Sequence, residues 1–213
     1  MEDRGSHFAM KLLVKRLMDI LFSGSALLLT APLSAIIALT IRLCDGRPVF
    51  FRQTRPGYQG KSFTLLKFRT MTDTRDARGL LLPDAERLIP VGTLLRQLSL
   101  DELPQLWNVF RGDMSLVGPR PLLIQYMDRY TSGQLHRHDV KPGITGWAQV
   151  HGRNAMTWPE RFALDLWYVD NWSLTLDAWI ILRTPWQVVK RNGTSQQGHV
   201  TMPEFLGSER NKQ

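Results

Sequence analysis

One cysteine, Cys44, in 213 residues leaves the chain no means of forming an internal disulfide and fits a reducing compartment. Histidine is scarce as well. His136 and His138 sit too close together and have no Cys or His partners at zinc-ligand spacing, so no structural zinc site is expected. Neither a Walker loop nor a Rossmann fingerprint is present, and internal repeats and low-complexity tracts are absent. Acidic side chains are in deficit: 19 Asp and Glu against 27 Lys and Arg give a net charge of +8, which favours polyanionic partners such as nucleic acid, an anionic membrane surface or phosphorylated substrates.

What the chain does have is a long apolar run. From Ile20 to Ile41 about 22 residues pass without a charge, enough for a straight helix to cross a bilayer core. Lys11, Lys15 and Arg16 precede the run, and Arg42, Arg47, Arg52 and Arg55 follow it. Positive charge on both flanks asks for two cytoplasmic ends. Pro32, near the middle, removes a backbone donor and predicts a bend, with Thr30 and Ser34 placed to bond freed backbone groups. The reading is a helix that breaks at Pro32, dips into one leaflet and returns; a kinked single span is the competitor. Residues 1–9, with Gly5-Ser6-His7, look like an expression scar ahead of Met10. The basic flank and re-entrant helix then occupy residues 10–47, the soluble part 48–191, and an irregular tail 192–213.

In the soluble part, Pro48–Gln53 and Ser62–Arg69 alternate as strands around Pro56-Gly57 and Gly60, predicting a hairpin. Thr72–Glu86 is polar and predicts a mobile loop. A short helix over Thr93–Gln97 leads to Leu98-Ser99-Leu100-Asp101-Glu102-Leu103-Pro104, followed by an amphipathic piece with Leu106, Trp107 and Phe110. Pro119-Arg120-Pro121 is expected to open a helix towards Tyr130, and to hold Arg120 on stiff backbone. Helices are predicted over Trp158–Asn171 and over Thr175–Arg191, the second interrupted near Pro185, with Trp179, Trp186 and basic residues suited to a headgroup layer. The fold class is α+β: a membrane helix, a helix-rich catalytic domain with a small hairpin, and interfacial amphipathic helices.

Asp101 and Glu102 are the chemical focus. An adjacent carboxylate pair with Arg96 upstream and Arg120 downstream suits Mg²⁺ and a phosphorylated substrate, although such a pair ahead of a helix otherwise serves only to cap it. The ordered set of stretches resembles the bacterial sugar transferase family, the small monotopic phosphoglycosyl transferases. The stretches are the apolar segment with its central Pro, Lys67-Phe68-Arg69-Thr70-Met71, Ser99–Gln105, Asp113-Met114-Ser115-Leu116-Val117-Gly118-Pro119-Arg120-Pro121, Lys141-Pro142-Gly143-Ile144-Thr145-Gly146, and Tyr168–Leu174. Two positions depart from the family pattern: Ala31 stands where Ser often precedes the helix-breaking Pro, and His151 where many members have Asn.

The resemblance implies a ping-pong reaction at the cytoplasmic face of a bacterial inner membrane. Asp101 attacks a UDP-sugar, UMP leaves, and polyprenyl (undecaprenyl) phosphate takes the sugar phosphate from the carboxylate, as the first membrane step of glycoconjugate biosynthesis. It implies Mg²⁺ held by Asp101 and Glu102, with Lys67, Arg69, Arg96, Pro119, Arg120, Pro121 and Arg153 at the substrate. The tail Val200–Phe205 is loosely similar to members that use acetamido sugars, which favours an N-acetylated donor. A homo-oligomer is left open and no nucleic-acid partner is expected. The rival readings are a non-enzymatic basic membrane-associated protein and a nucleic-acid-binding protein; the latter leaves the uncharged stretch around Pro32 without a role.

Overall fold

The computed structural model describes residues 2–152, 156–190 and 204–207. Arg153, Asn154 and Val200–Pro203 lie outside them. The architecture mixes helices with two small sheets. Helix α1 (Glu2–Cys44) is followed by strands β1 (Phe50–Pro56) and β2 (Ser62–Phe68), then helices α2 (Asp84–Arg87), α3 (Pro90–Gln97) and α4 (Gln105–Arg111). Strand β3 (Ser115–Val117), helix α5 (Ser132–Leu135), strand β4 (Gly143–Thr145) and helices α6 (Trp147–His151), α7 (Trp158–Asp170) and α8 (Leu174–Lys190) complete the order.

The hairpin is antiparallel, in a register that pairs Phe50 with Phe68 and Pro56 with Ser62. Because partners in register share a face, Gln53 and Arg55 lie on the same side as Leu65 and Lys67. The second sheet is a parallel pair, with Ser115 opposite Gly143 and Val117 opposite Thr145. Its close approach depends on glycine: a Cβ on Gly118 would sit 2.3 Å from the Lys141 carbonyl oxygen, and one on Gly143 2.1 Å from the Gly118 nitrogen.

Helix α1 is docked on the rest of the chain at both ends. Arg16 donates to the carbonyls of Val109 and Phe110, each at 2.7 Å, and so caps the C-terminal end of α4 where a cation is favoured. Asp19 is buried and accepts from the Leu116 N–H at 2.9 Å and the Ser115 hydroxyl at 3.1 Å. Lys15 reaches the Val117 carbonyl and pairs with Asp177 of α8 at 2.5 Å. At the other end Ile37 and Ile41 are buried with Phe68, Ile89 and Leu95. Between these contacts Leu28 and Leu29 are 79% and 82% exposed. The helix from Phe8 to Cys44 is apolar and long enough to cross a membrane. Lys15 and Arg16, named from sequence as charges flanking the apolar run, therefore turn into the protein.

Several local expectations are corrected. Helical structure runs through Pro32 without a break, and Thr30 bonds the Ala26 carbonyl at 2.7 Å rather than the Leu28 carbonyl that Pro32 leaves without its helical donor. Helix α8 likewise continues through Pro185 to Lys190. A proline removes one hydrogen bond, and backbone can stay helical through it while the axis bends. Pro119-Arg120-Pro121 opens no α-helix; a 3₁₀ stretch begins only at Ile124. Each proline disfavours helical geometry in the residue before it, so Arg120 is drawn out of the helical region by Pro121. The polar Thr72–Glu86 loop is closed on itself. Met71 bridges Leu88, Arg75 bridges Leu81, and Asp76 accepts the N–H groups of Arg78 and Leu80.

Candidate active site

The carboxylate pair occupies a single 3₁₀ turn, Leu100–Glu102, between α3 and α4. Ser99, just before it, is held left-handed at φ 56°, a conformation that costs a non-glycine residue about 1 kcal/mol or more and clusters at functional sites. The turn presents the two acidic side chains to quite different surroundings.

Glu102 is clamped. Lys67 of β2 donates to its Oε1 at 2.7 Å, and Arg120 pairs with the same oxygen through Nη2. Burial opposes ionisation, but Arg120 and Lys67 overcome it and hold the Glu102 carboxyl far below the usual carboxylate range. Arg120 is pushed up in turn by Glu102. Asp101 is buried at 7% exposure, yet among the described residues no hydrogen bond reaches its carboxylate; Lys67 Nζ stands 3.8 Å away. Burial pushes Asp101 above its ordinary value, Lys67 pulls it down, and the neighbouring Glu102 charge pushes it up again. Of two adjacent carboxylates, one is fixed by two short contacts to cations and the other has only the longer ion pair with Lys67.

Arg120 is positioned by its backbone. The Pro119 carbonyl accepts from Gly143 N–H at 3.1 Å, the Arg120 carbonyl from Arg137 Nη2 at 2.8 Å, and the Pro121 carbonyl from Arg55 Nη1 at 3.4 Å. Arg137 is itself anchored by a buried ion pair with Asp165 at 2.7 Å. The proline-flanked arginine thus rests on a stretch whose carbonyls are individually tied down, so little freedom is lost when it grips an anion.

The other sequence-predicted residues divide. Arg96 bonds the Thr70 hydroxyl at 3.1 Å, and its charge is felt at Asp101. Arg69 is engaged away from the pair, with Asp45 at 3.4 Å, Asp73 at 3.2 Å and the carbonyls of Arg47 and Met71, where it fastens the end of α1 to the strand. His151 lies tilted against Trp147 with ring centroids 4.0 Å apart, beside Trp167 and Trp179. Arg55, Arg137 and Asp165 were not singled out from sequence. Strand parity is the signal that finds Arg55, since it falls on the Lys67 face of the hairpin.

A small cavity of about 90 Å³ opens beside the clamp, lined by Arg55, Leu65, Lys67, Gln105, Arg120, Pro121 and Leu122. Among the described residues no group of three or more Asp, Glu, His or Cys side chains could hold a metal by protein donors alone. A carboxylate pair is nonetheless the donor set on which Mg²⁺ is commonly shared with substrate phosphates and water. The free Asp101 carboxylate and Glu102 Oε2, which Arg120 Nη1 reaches at 3.4 Å, leave lone pairs that fit such an ion.

A buried carboxylate beside clamped cations and a basic cavity is chemically suited to meet an anionic phosphate. The family model described as bacterial sugar transferase matches residues 10–191. The chain belongs to the bacterial sugar transferase family. It is 56% identical over 200 residues to a protein of Bacillus subtilis (strain 168) named uncharacterized sugar transferase EpsL, covering 92% of this chain and 98% of that one. The exopolysaccharide production protein ExoY of Rhizobium meliloti (strain 1021) is 40% identical over 189 residues, 81% of this chain and 84% of that protein. The UDP-glucose:undecaprenyl-phosphate glucose-1-phosphate transferase of Escherichia coli (strain K12) is 41% identical over 182 residues, which cover 81% of this chain and 39% of that longer protein.

Proposed function

We propose that this sugar transferase moves a sugar 1-phosphate from a UDP-sugar to polyprenyl phosphate at the surface of a membrane, releasing UMP, with Asp101 as the covalent nucleophile. The observation that carries the reading is the asymmetry of the pair: Glu102 is consumed by Lys67 and Arg120, and Asp101 is buried beside the same cations with an unbonded carboxylate. A carboxylate is a competent covalent nucleophile when it is desolvated and aimed. Its obstacle is like-charge repulsion from a diphosphate. Lys67, Arg96 and Arg120 offset that repulsion, and do so most strongly where water is excluded.

Glu102 is the positioning residue. It holds Lys67 and Arg120 in place before substrate arrives, so the cationic frame needs no rearrangement during the reaction. Mg²⁺ held by Glu102 and Asp101 together with substrate phosphates would supply Lewis-acid neutralisation of phosphate charge. The names of the relatives, UDP-glucose:undecaprenyl-phosphate glucose-1-phosphate transferase among them, support the donor and acceptor classes.

The membrane reading draws on helix α1. Its two ends dock on one body, Lys15–Ser23 against α4, β3 and α8, and Ile37–Ile41 against β2 and α3, while its centre is exposed. One body cannot lie on both sides of a bilayer, so this arrangement favours a helix that enters and leaves through the same leaflet over a single span. On α8, exposed Leu182 and Trp186 beside Arg183, which stacks on Trp179 at 4.9 Å, suit the headgroup layer of the cytoplasmic leaflet in a bacterial inner membrane. The greasy acceptor then meets the water-soluble donor at Asp101. A non-enzymatic scaffold gives the free carboxylate no role.

The donor sugar has two supports that differ. The tail resemblance favours an N-acetylated sugar, and the relatives' names favour glucose. A panel of UDP-sugars incubated with undecaprenyl phosphate and Mg²⁺, read as released UMP, tests the function. Release from one of them that depends on Mg²⁺ and on the acceptor for turnover is expected; no release from any would end the reading.

A further inference from the structure

Arg55 is a cation without a counter-ion at the edge of the site. Among the described residues no carboxylate lies within ion-pair distance of it. Its Nη2 donates to Gln53 Oε1 at 2.5 Å, its Nη1 makes the long contact to the Pro121 carbonyl, and its Nε is buried with no partner. Burial and the neighbouring Arg120 charge pull it down to about 10. A buried guanidinium with an orphaned donor is costly unless something negative completes it. The cavity that Arg55 lines with Lys67 and Arg120 is completed by Leu65, Gln105, Pro121 and Leu122.

We infer that Arg55 and Arg120 form one phosphate subsite that serves in turn the departing nucleotide and the incoming lipid phosphate. The inference rests on the transferase reading and adds a residue and an order of occupancy to it. In the first half-reaction a carboxylate oxygen of Asp101 bonds to the sugar-bearing phosphorus. The bond from that phosphorus to the bridging oxygen breaks, and its electron pair leaves on the phosphate of UMP. In-line displacement puts that leaving oxygen opposite Asp101. In the second half an oxygen of polyprenyl phosphate bonds to the same phosphorus, and the electron pair returns to the Asp101 carboxylate. The attacking oxygen must again lie opposite Asp101. Both phosphate monoesters therefore need the same place, and the cavity lined by Arg55, Arg120 and Lys67, whose Nζ stands 3.8 Å from the Asp101 carboxylate, supplies it.

The full chain in lipid nanodiscs tests this. UMP and, separately, inorganic phosphate are titrated calorimetrically, which needs no turnover; undecaprenyl phosphate is varied in steady-state assays with the UDP-sugar the panel identifies. Replacing a charge-assisted grip by a neutral amide, Arg55→Gln is expected to weaken UMP binding and raise the acceptor KM, each by about 10–100-fold. Arg55→Lys should recover part of both losses and guards against misfolding of the Gln variant. Arg52→Gln, an exposed charge on the opposite face of the same strand, should alter neither. A change in the nucleotide term alone, in the acceptor term alone, or in neither overturns the shared subsite. Absence of UMP release by the unsubstituted chain would instead sink the transferase reading.

Discussion

Lys15, in the first third of α1, pairs with Asp177 of α8 at 2.5 Å, with both side chains largely buried. Asp177 is otherwise satisfied by the Tyr168 hydroxyl at 2.7 Å and the Trp172 indole N–H at 3.1 Å. Burial pushes the Tyr168 phenol far above its ordinary value, and the Asp177 charge adds to that, so the hydroxyl stays a donor throughout the accessible pH range. The junction between the apolar helix and the catalytic body is thus a sealed polar knot rather than a greasy contact.

Breaking one partner of such a knot strands the other. Asp177→Leu is expected to destabilise the protein by about 3–5 kcal/mol, and Lys15→Met by a similar order, because each leaves a buried charge uncompensated. The double variant Lys15→Met, Asp177→Leu should recover much of the loss. Chemical denaturation of the four proteins in the same detergent gives the coupling; strict additivity would show that the pair does not hold α1.

Asp101→Asn is expected to abolish UMP release and at the same time to stabilise the fold, by about 0.5–2 kcal/mol. The native carboxylate is buried without a hydrogen bond beside the Glu102 charge, so a neutral isostere relieves a cost that function requires. Thermal unfolding compared with single-turnover assays separates the two effects. An inactive variant that is also less stable would point to a structural role for Asp101.

His138 supplies the acid sensitivity. Its ring is buried with Nε2 unpartnered, and burial aided by Arg137 lowers it to about 4. A neutral buried histidine binds its proton more weakly folded than unfolded, so stability holds above the unfolded value of about 6.5 and falls as pH drops from there towards 4. Melting temperatures of the native chain and of His138→Gln at pH 7 and pH 5 check this; the variant should lose less on acidification.

Gly118→Ala tests the parallel strand pair. The added Cβ would meet the Lys141 carbonyl oxygen at 2.3 Å and the Gly143 nitrogen at 2.9 Å, both rigid backbone. Since Pro119-Arg120-Pro121 follows directly, the variant should lose activity by more than tenfold along with stability. A fully active variant would mean that Arg120 does not depend on this packing.

The hairpin was legible because alternation and a Pro-Gly turn are local signals, and the adjacent carboxylates because they are adjacent. Their asymmetry was not, since which of the two is clamped depends on Lys67 and Arg120, brought in from β2 and from beyond β3. The inward contacts of Lys15, Arg16 and Arg55 were not legible for one reason: a basic residue beside an apolar run has the same sequence signature whether it faces lipid headgroups or turns inward to a carbonyl or carboxylate. Helical backbone continues through Pro32 and Pro185, where interruptions were expected, and Pro119 and Pro121 were expected to start a helix where consecutive ring constraints forbid it. Arg69 shares its strand-end motif with Lys67, but its ion pairs to Asp45 and Asp73 depend on where α1 ends in space.

The central claim is that the free carboxylate becomes esterified by a sugar phosphate. Mixing the full chain with Mg²⁺ and the active UDP-sugar, in the absence of any lipid acceptor, and counting UMP in the first turnover tests it most directly. The account predicts a burst approaching one UMP per chain, a matching mass increase on the peptide that contains Asp101, and neither with Asp101→Asn. UMP released only when acceptor is present, or an undiminished burst from the Asn variant, would contradict it.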